Sequence, residues 1–127
     1  MKKRDNFFKA LTNLHDIYNY SAPYNNVELA GMVGLYEICF ELAWKAMKEH
    51  LQQEGFPESG TGSPRQILKT AFQAGLIEDE ADWLAALADR NNVAHSYDEQ
   101  VALAIITRTK EQYCTLFEKL KEKLQAN

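Results

Sequence analysis

Apolar positions along this chain recur every three or four residues, and nowhere do they alternate with polar ones at a spacing of two. The first series is Phe7, Leu11, Leu14 and Tyr18, which marks one stripe of a helix over about residues 5–20. Pro23 disfavours helical geometry at Ala22, so the segment 21–26 breaks that helix. A longer series, Leu29, Val33, Tyr36, Phe40, Ala43, Met47 and Leu51, predicts a second helix over about 26–53. Gly31 and Gly34 lie inside it, each less favourable than Ala by roughly 1 kcal/mol. Their expected use is close approach of a neighbouring helix, with a kink as the rival reading. Trp44, beside the stripe, reads as core or interface, with stacking on a nucleic-acid base as the functional alternative.

Three glycines and a proline in residues 55–63 make a loop. Ser63, Pro64 and Gln66 then spell a helix start: a cap, a residue preset for the first turn, and the partner that completes a capping box. This third helix is short, ending near Ala74 with Gly75 as its stop, and Arg65 in its first turn reads as surface or interface. A fourth helix begins around Asp79. Glu78, Asp79, Glu80 and Asp82 offset the partial positive charge of its N-terminus, an acidic catalytic pair being the alternative. Trp83, Leu84, Leu87 and Ala88 supply its apolar face. A fifth helix covers about 98–124 through Leu103, Ile106, Lys110, Tyr113, Phe117, Leu120 and Leu124, with Lys110 as the one charged member. The expected fold is all-α: an up-and-down antiparallel four-helix bundle with an additional short helix. The lack of β-alternation excludes Rossmann, OB and RRM modules.

Length fits a single domain over 1–127 with one core. No apolar run is long enough to span a membrane, and Lys2, Lys3 and Arg4 lead into no signal-peptide core, so a cytoplasmic protein is expected. Cys39 and Cys114 fall among core-type neighbours and read as buried, reduced thiols. His15, His50 and His95 have no zinc-like spacing, so neither metal nor cofactor is expected. The formal charge of −4 is uneven: residues 1–20 carry four Lys/Arg against two Asp, and residues 21–60 carry two Lys against six Glu. A nucleic-acid binder of this composition needs a local basic cleft inside an acidic shell, or basic surface from a partner.

The candidate chemistry is concentrated in Arg90-Asn91-Asn92-Val93-Ala94-His95-Ser96-Tyr97. In a continuous helix His95 shares a face with Asn91, whereas Arg90 lies about 140° around the axis from it. Imidazole and guanidinium meet only if the helix unwinds near Ala94 or a second copy brings its own pair across a two-fold axis. Arg plus His without a metal suits phosphodiester cleavage in RNA. The imidazole takes a proton from the 2′-hydroxyl or gives one to the leaving 5′-oxygen. The guanidinium stabilises the charge on the phosphate, and Asn91 orients the histidine or binds phosphate. The bland alternative stands beside it: Arg90 bridged to Asp89 or to a carboxylate on another helix, His95 bonding a final carbonyl, and Tyr97 simply packing.

At these residues the sequence resembles the HEPN superfamily, whose signature is an arginine, four to six residues, then a histidine; here it is Arg90 to His95, with a tyrosine two places on at Tyr97. More closely it resembles the nucleotidyltransferase substrate-binding proteins within it, through FELAWKAMKEHLQQEG at 40–55, SPRQILKTAFQAGLI at 63–77, and Trp83 ahead of Arg90-Asn91. The likeness covers nearly the whole chain. It implies a homodimer with both motifs near the subunit junction, and a minimal nucleotidyltransferase (MNT) as partner. It implies a toxin-like, metal-independent RNase acting on RNA, with Arg90 and His95 catalytic and Asn91 supporting. It also implies an antitoxin nucleotidyltransferase that attaches AMP to Tyr97. The family name implies an alternative, a non-catalytic subunit that presents substrate to the nucleotidyltransferase; a helical interaction module is the second alternative.

Overall fold

The computed structural model describes residues 2–56 and 62–126 of the chain. Six helices follow one another: α1 (Lys2–Leu14), α2 (Asn26–Gln53), α3 (Pro64–Gln73), α4 (Glu80–Asn91), α5 (Glu99–Arg108) and α6 (Cys114–Ala126). They form an all-α, up-and-down bundle, in which α5 and α6 make one rod and α3 is the added short piece. α2 packs against all five other helices and is the spine of the molecule. Among the described residues no helix is long and apolar enough to cross a membrane. Of the loop expected over 55–63, residues 57–61 lie outside the described residues.

Local signals fix the helix ends. Asn25 caps α2 and shares a reciprocal capping box with Glu28; Ser63 and Gln66 do the same for α3, with Pro64 in its first turn. Gly55 and Gly75 follow α2 and α3 with φ of 84° and 79°, where a side chain would be strained. Gly31 and Gly34 do not serve a close approach within the chain: a Cβ at either would meet nothing within 4 Å. α2 runs through both without a break in its helical assignment.

The core is aromatic at its centre. Phe7, Tyr36, Phe40, Trp83, Tyr113 and Phe117 are buried, with Tyr36 and Tyr113 stacked at 5.6 Å and Trp83 edge-on to Phe117 at 5.6 Å. Each such side chain contributes about 1.5–3 kcal/mol through burial. Cys39 and Cys114 are buried free thiols, and burial raises the pKa of both.

Two irregular turns shift the apolar register from that expected. The first helix starts at Lys2 and gives way after Leu14 to a 3₁₀ turn over His15–Asn19. Three residues per turn put Ile17, not Tyr18, beneath Leu14. Ile17 is buried, while Tyr18 is 49% exposed and donates its hydroxyl to the Lys110 carbonyl. The long last helix is interrupted by a π turn over Thr109–Tyr113. That wider turn holds one extra residue, so the seam N-terminal to it moves back by one position: Ala102, Ile105 and Thr109 are buried where Leu103, Ile106 and Lys110 were expected, with Ile106 buried as well. Leu103 is 40% exposed. Thr109 satisfies its hydroxyl on the Ile105 carbonyl, and Lys110 is free to donate to the Tyr20 carbonyl and the Tyr24 hydroxyl. In α4 the buried face is Trp83, Ala86 and Leu87, with Leu84 partly buried and Ala88 exposed rather than in the core.

Candidate functional site

The last turn of α4 presents two adjacent charges to different surroundings. Asp89 follows Ala86 by three positions and so falls on the buried face of the helix. Its carboxylate accepts a two-pronged bond from Arg108, Nε to Oδ2 at 2.7 Å and Nη2 to Oδ1 at 2.7 Å. The Tyr113 hydroxyl adds a third bond at 2.5 Å. The π turn starts after Arg108 and ends at Tyr113, and both side chains reach one carboxylate. Hydrogen bonding to Asp89 raises the Arg108 pKa, and burial followed by the Asp89 bond raises that of Tyr113. One turn earlier the Tyr36 hydroxyl donates to the Ala86 carbonyl at 2.5 Å. The end of α4 is thereby fixed to α2 and to the α5–α6 rod.

Arg90 points off that anchored turn toward α2. One guanidinium nitrogen pairs with Glu41, and another donates to Asn91 Oδ1 at 3.1 Å. The other Glu41 oxygen accepts from Trp44 Nε1 at 3.3 Å. Sequence reasoning allowed a carboxylate on another helix as Arg90's partner, and Glu41 is that carboxylate.

After Asn91 the chain tightens into a 3₁₀ turn, Asn92–His95, closed by Ser96 N–H to the Val93 carbonyl and Asp98 N–H to the His95 carbonyl. Asp98 then caps α5. A 3₁₀ turn advances each residue by roughly 120°, so this tightening does not swing the imidazole round to the guanidinium. Among the described residues no hydrogen bond or ion pair joins Arg90 to His95; Arg90 is engaged by Glu41 and Asn91 instead. His95 is exposed, its ring 6.3 Å from that of Tyr97 and edge-on to it. Tyr97 is 87% exposed, the most open aromatic side chain described. His15 and His50 stand against Glu118 and Glu54, whereas His95 faces no carboxylate among the described residues.

The structure thus brings Arg90 and Asn91 together, places His95 and Tyr97 together a turn away, and leaves all four on one continuous stretch of surface. Sequence reasoning missed Glu41, Arg108 and Tyr113, and met Asp89 only as a candidate neighbour. An aspartate three positions beyond Ala86, in phase with the apolar face, was the one available signal. Among the described residues no three His, Cys, Asp or Glu side chains gather as a metal site.

The profile of a family described as "nucleotidyltransferase substrate binding protein like" matches residues 2–126. The chain is 31% identical over 102 residues to a Haemophilus influenzae protein named probable ribonuclease HepT, covering 76% of this chain and 70% of that protein. Among solved structures, a Thermus thermophilus protein superposes with a TM-score of 0.83 at 29% identity, covering 94% of this chain and 98% of its own. A Haemophilus influenzae protein, described as revealing the fold of a substrate-binding domain of a nucleotidyltransferase, superposes with a TM-score of 0.72 at 25% identity, covering 98% and 95%.

Proposed function

The chain belongs to the nucleotidyltransferase substrate-binding protein family, and from that premise we propose that it works as the helical partner of a nucleotidyltransferase, with the Arg90–Tyr97 segment as the surface the enzyme engages. The observation that carries this reading is the position of Tyr97: its side chain stands in solvent beside His95, on the turn that follows the anchored end of α4. A nucleotidyltransferase can reach that hydroxyl without unfolding anything. The Haemophilus influenzae fold relative and the family description support a substrate-binding partner more directly than a ribonuclease. Co-elution of this chain with its cognate minimal nucleotidyltransferase, weakened by Tyr97→Asp, is the expected result. An unchanged complex would move the contact elsewhere.

A second reading is favoured by the intact Arg90, His95 and Tyr97 set, by the open imidazole, and by the probable ribonuclease among the relatives. In it, His95 takes the proton of an RNA 2′-hydroxyl and the freed oxygen attacks phosphorus. The 5′-oxygen leaves with a proton, giving a 2′,3′-cyclic phosphate and a 5′-hydroxyl. Arg90 neutralises the phosphate and Asn91 supports it. Arg90 must then exchange Glu41 for phosphate or use its remaining donors. Convergence with His95 comes from a second copy. Val27 and Ile38, 82% and 54% exposed, share a face of α2 with Gly31 and Gly34, which leads toward Glu41 and suits a homodimer contact. An AMP group on Tyr97 would place phosphate beside His95 and block RNA. RNA cleavage in EDTA, lost in His95→Ala, is the expected result of this reading; cleavage unaffected by that change would end it.

A further inference from the structure

α2 carries, one turn beyond Glu41, a groove of about 500 Å³ lined by Trp44, Lys45, Lys48, Glu49 and Gln52, and closed on its other side by Lys2 and Lys3 of α1. Four lysines face one glutamate there, on a chain whose net charge is −4. None of these four ammonium groups has an ion-pair partner among the described residues. The lysines of the groove beside Trp83 differ: Lys119 pairs with Asp79 at 3.2 Å and Lys123 with Glu78 at 3.6 Å. The Glu49 carboxylate accepts the Lys3 backbone N–H at 2.8 Å, which holds the start of α1 against α2. Trp44 is half-buried, packed on the core at one edge and lining the groove at another. Its Nε1 bonds the carboxylate that pairs with Arg90, so Glu41 links the groove to the Arg90 segment.

We propose that this groove binds single-stranded RNA, with phosphates on Lys2, Lys3, Lys45 and Lys48 and a base against the Trp44 indole, and leads the strand over Glu41 to Arg90. Unpaired lysines around an aromatic face are what a flexible polyanion with stackable bases requires. An acidic protein segment would use the charges but not the indole. The volume accommodates a nucleotide unit. The ligand's identity rests on the ribonuclease reading; the groove itself does not.

The test uses the full chain carrying His95→Ala, so that cleavage does not intervene, and a fluorescent 12-residue oligouridylate as probe. Binding is expected, weakened at least tenfold by Lys45→Glu with Lys48→Glu. Lys2→Glu with Lys3→Glu, at exposed positions that leave the fold intact, should weaken it severalfold. The log–log salt slope should fall by about 1.4 when two phosphate contacts are lost, at roughly 0.7 each. Tryptophan emission should be quenched on binding, Trp44 being the accessible indole and Trp83 only 2% exposed. No binding by the parent, or equal affinity in both double variants, overturns the proposal. So does a result in which the variants lose the nucleotidyltransferase but keep RNA. In a second arm with His95 intact, cleavage unaffected by the groove substitutions sinks the groove and spares the ribonuclease reading. Groove-dependent binding together with no cleavage by the chain that keeps His95 does the reverse.

Discussion

Arg90 and Arg108 each reach a carboxylate on a different helix, yet the two pairs are built for different ends. Asp89 is closed in by three donors, two from Arg108 and one from Tyr113, and its side chain is 11% exposed. Glu41 receives one arm of Arg90 and a 3.3 Å bond from Trp44, and is 24% exposed. A parallel two-pronged bond to a buried acid fixes geometry and is costly to break. A one-pronged, part-buried pair, with a second arm on Asn91, leaves the guanidinium's remaining donors for something else. Adjacent residues at the end of one helix thus divide the labour: Asp89 anchors the turn, and Arg90 offers an exchangeable cation from it.

The contrast is open to direct attack. The largest effect expected is on chemistry: under the ribonuclease reading, His95→Ala lowers the cleavage rate by about 10²–10⁴-fold and Arg90→Ala comparably, while melting temperatures stay near the parent's. Next in size is stability. Asp89→Ala strands Arg108 and the Tyr113 hydroxyl and costs about 2–3 kcal/mol in urea unfolding, whereas Arg90→Ala costs under about 1 kcal/mol. Equal costs at the two positions would erase the distinction.

Smaller still is a pH effect. Burial raises the pKa of Tyr36 and Tyr113, so both phenols stay neutral in the fold beyond the pH at which the unfolded chain ionises them. Their contribution is full below the unfolded value of about 10 and is lost as pH rises toward the folded values. Urea midpoints should therefore fall above about pH 10, and less steeply in Tyr113→Phe. The smallest structural effect belongs to Tyr97→Phe, within about 0.5 kcal/mol of the parent, because that side chain is in solvent.

Much of this architecture was legible from neighbouring residues alone. The span of α2, the Ser63–Gln66 capping box and the Gly75 stop depend on contacts three or four residues apart, and each lies where local spacing predicts it. The 3₁₀ turn after Leu14 and the π turn at Thr109 were not legible, because ordinary helical spacing also explains the same apolar residues. Only Lys110, a cation in an otherwise apolar seam, hinted that the register slips. At the site, the Arg90–His95 spacing was visible, but its partners were not. Glu41 lies on another helix, and Asp89 and Arg108 are nineteen residues apart, so tertiary packing decides which carboxylate each arginine takes.

The most direct test of the central claim, that the Arg90–Tyr97 surface is what a nucleotidyltransferase acts upon, is the intact mass of this chain after incubation with its cognate nucleotidyltransferase and ATP. The account predicts a gain of one AMP unit or a multiple of it, absent from Tyr97→Phe and retained in Arg108→Lys. An unmodified chain, or a gain that persists in Tyr97→Phe, contradicts it.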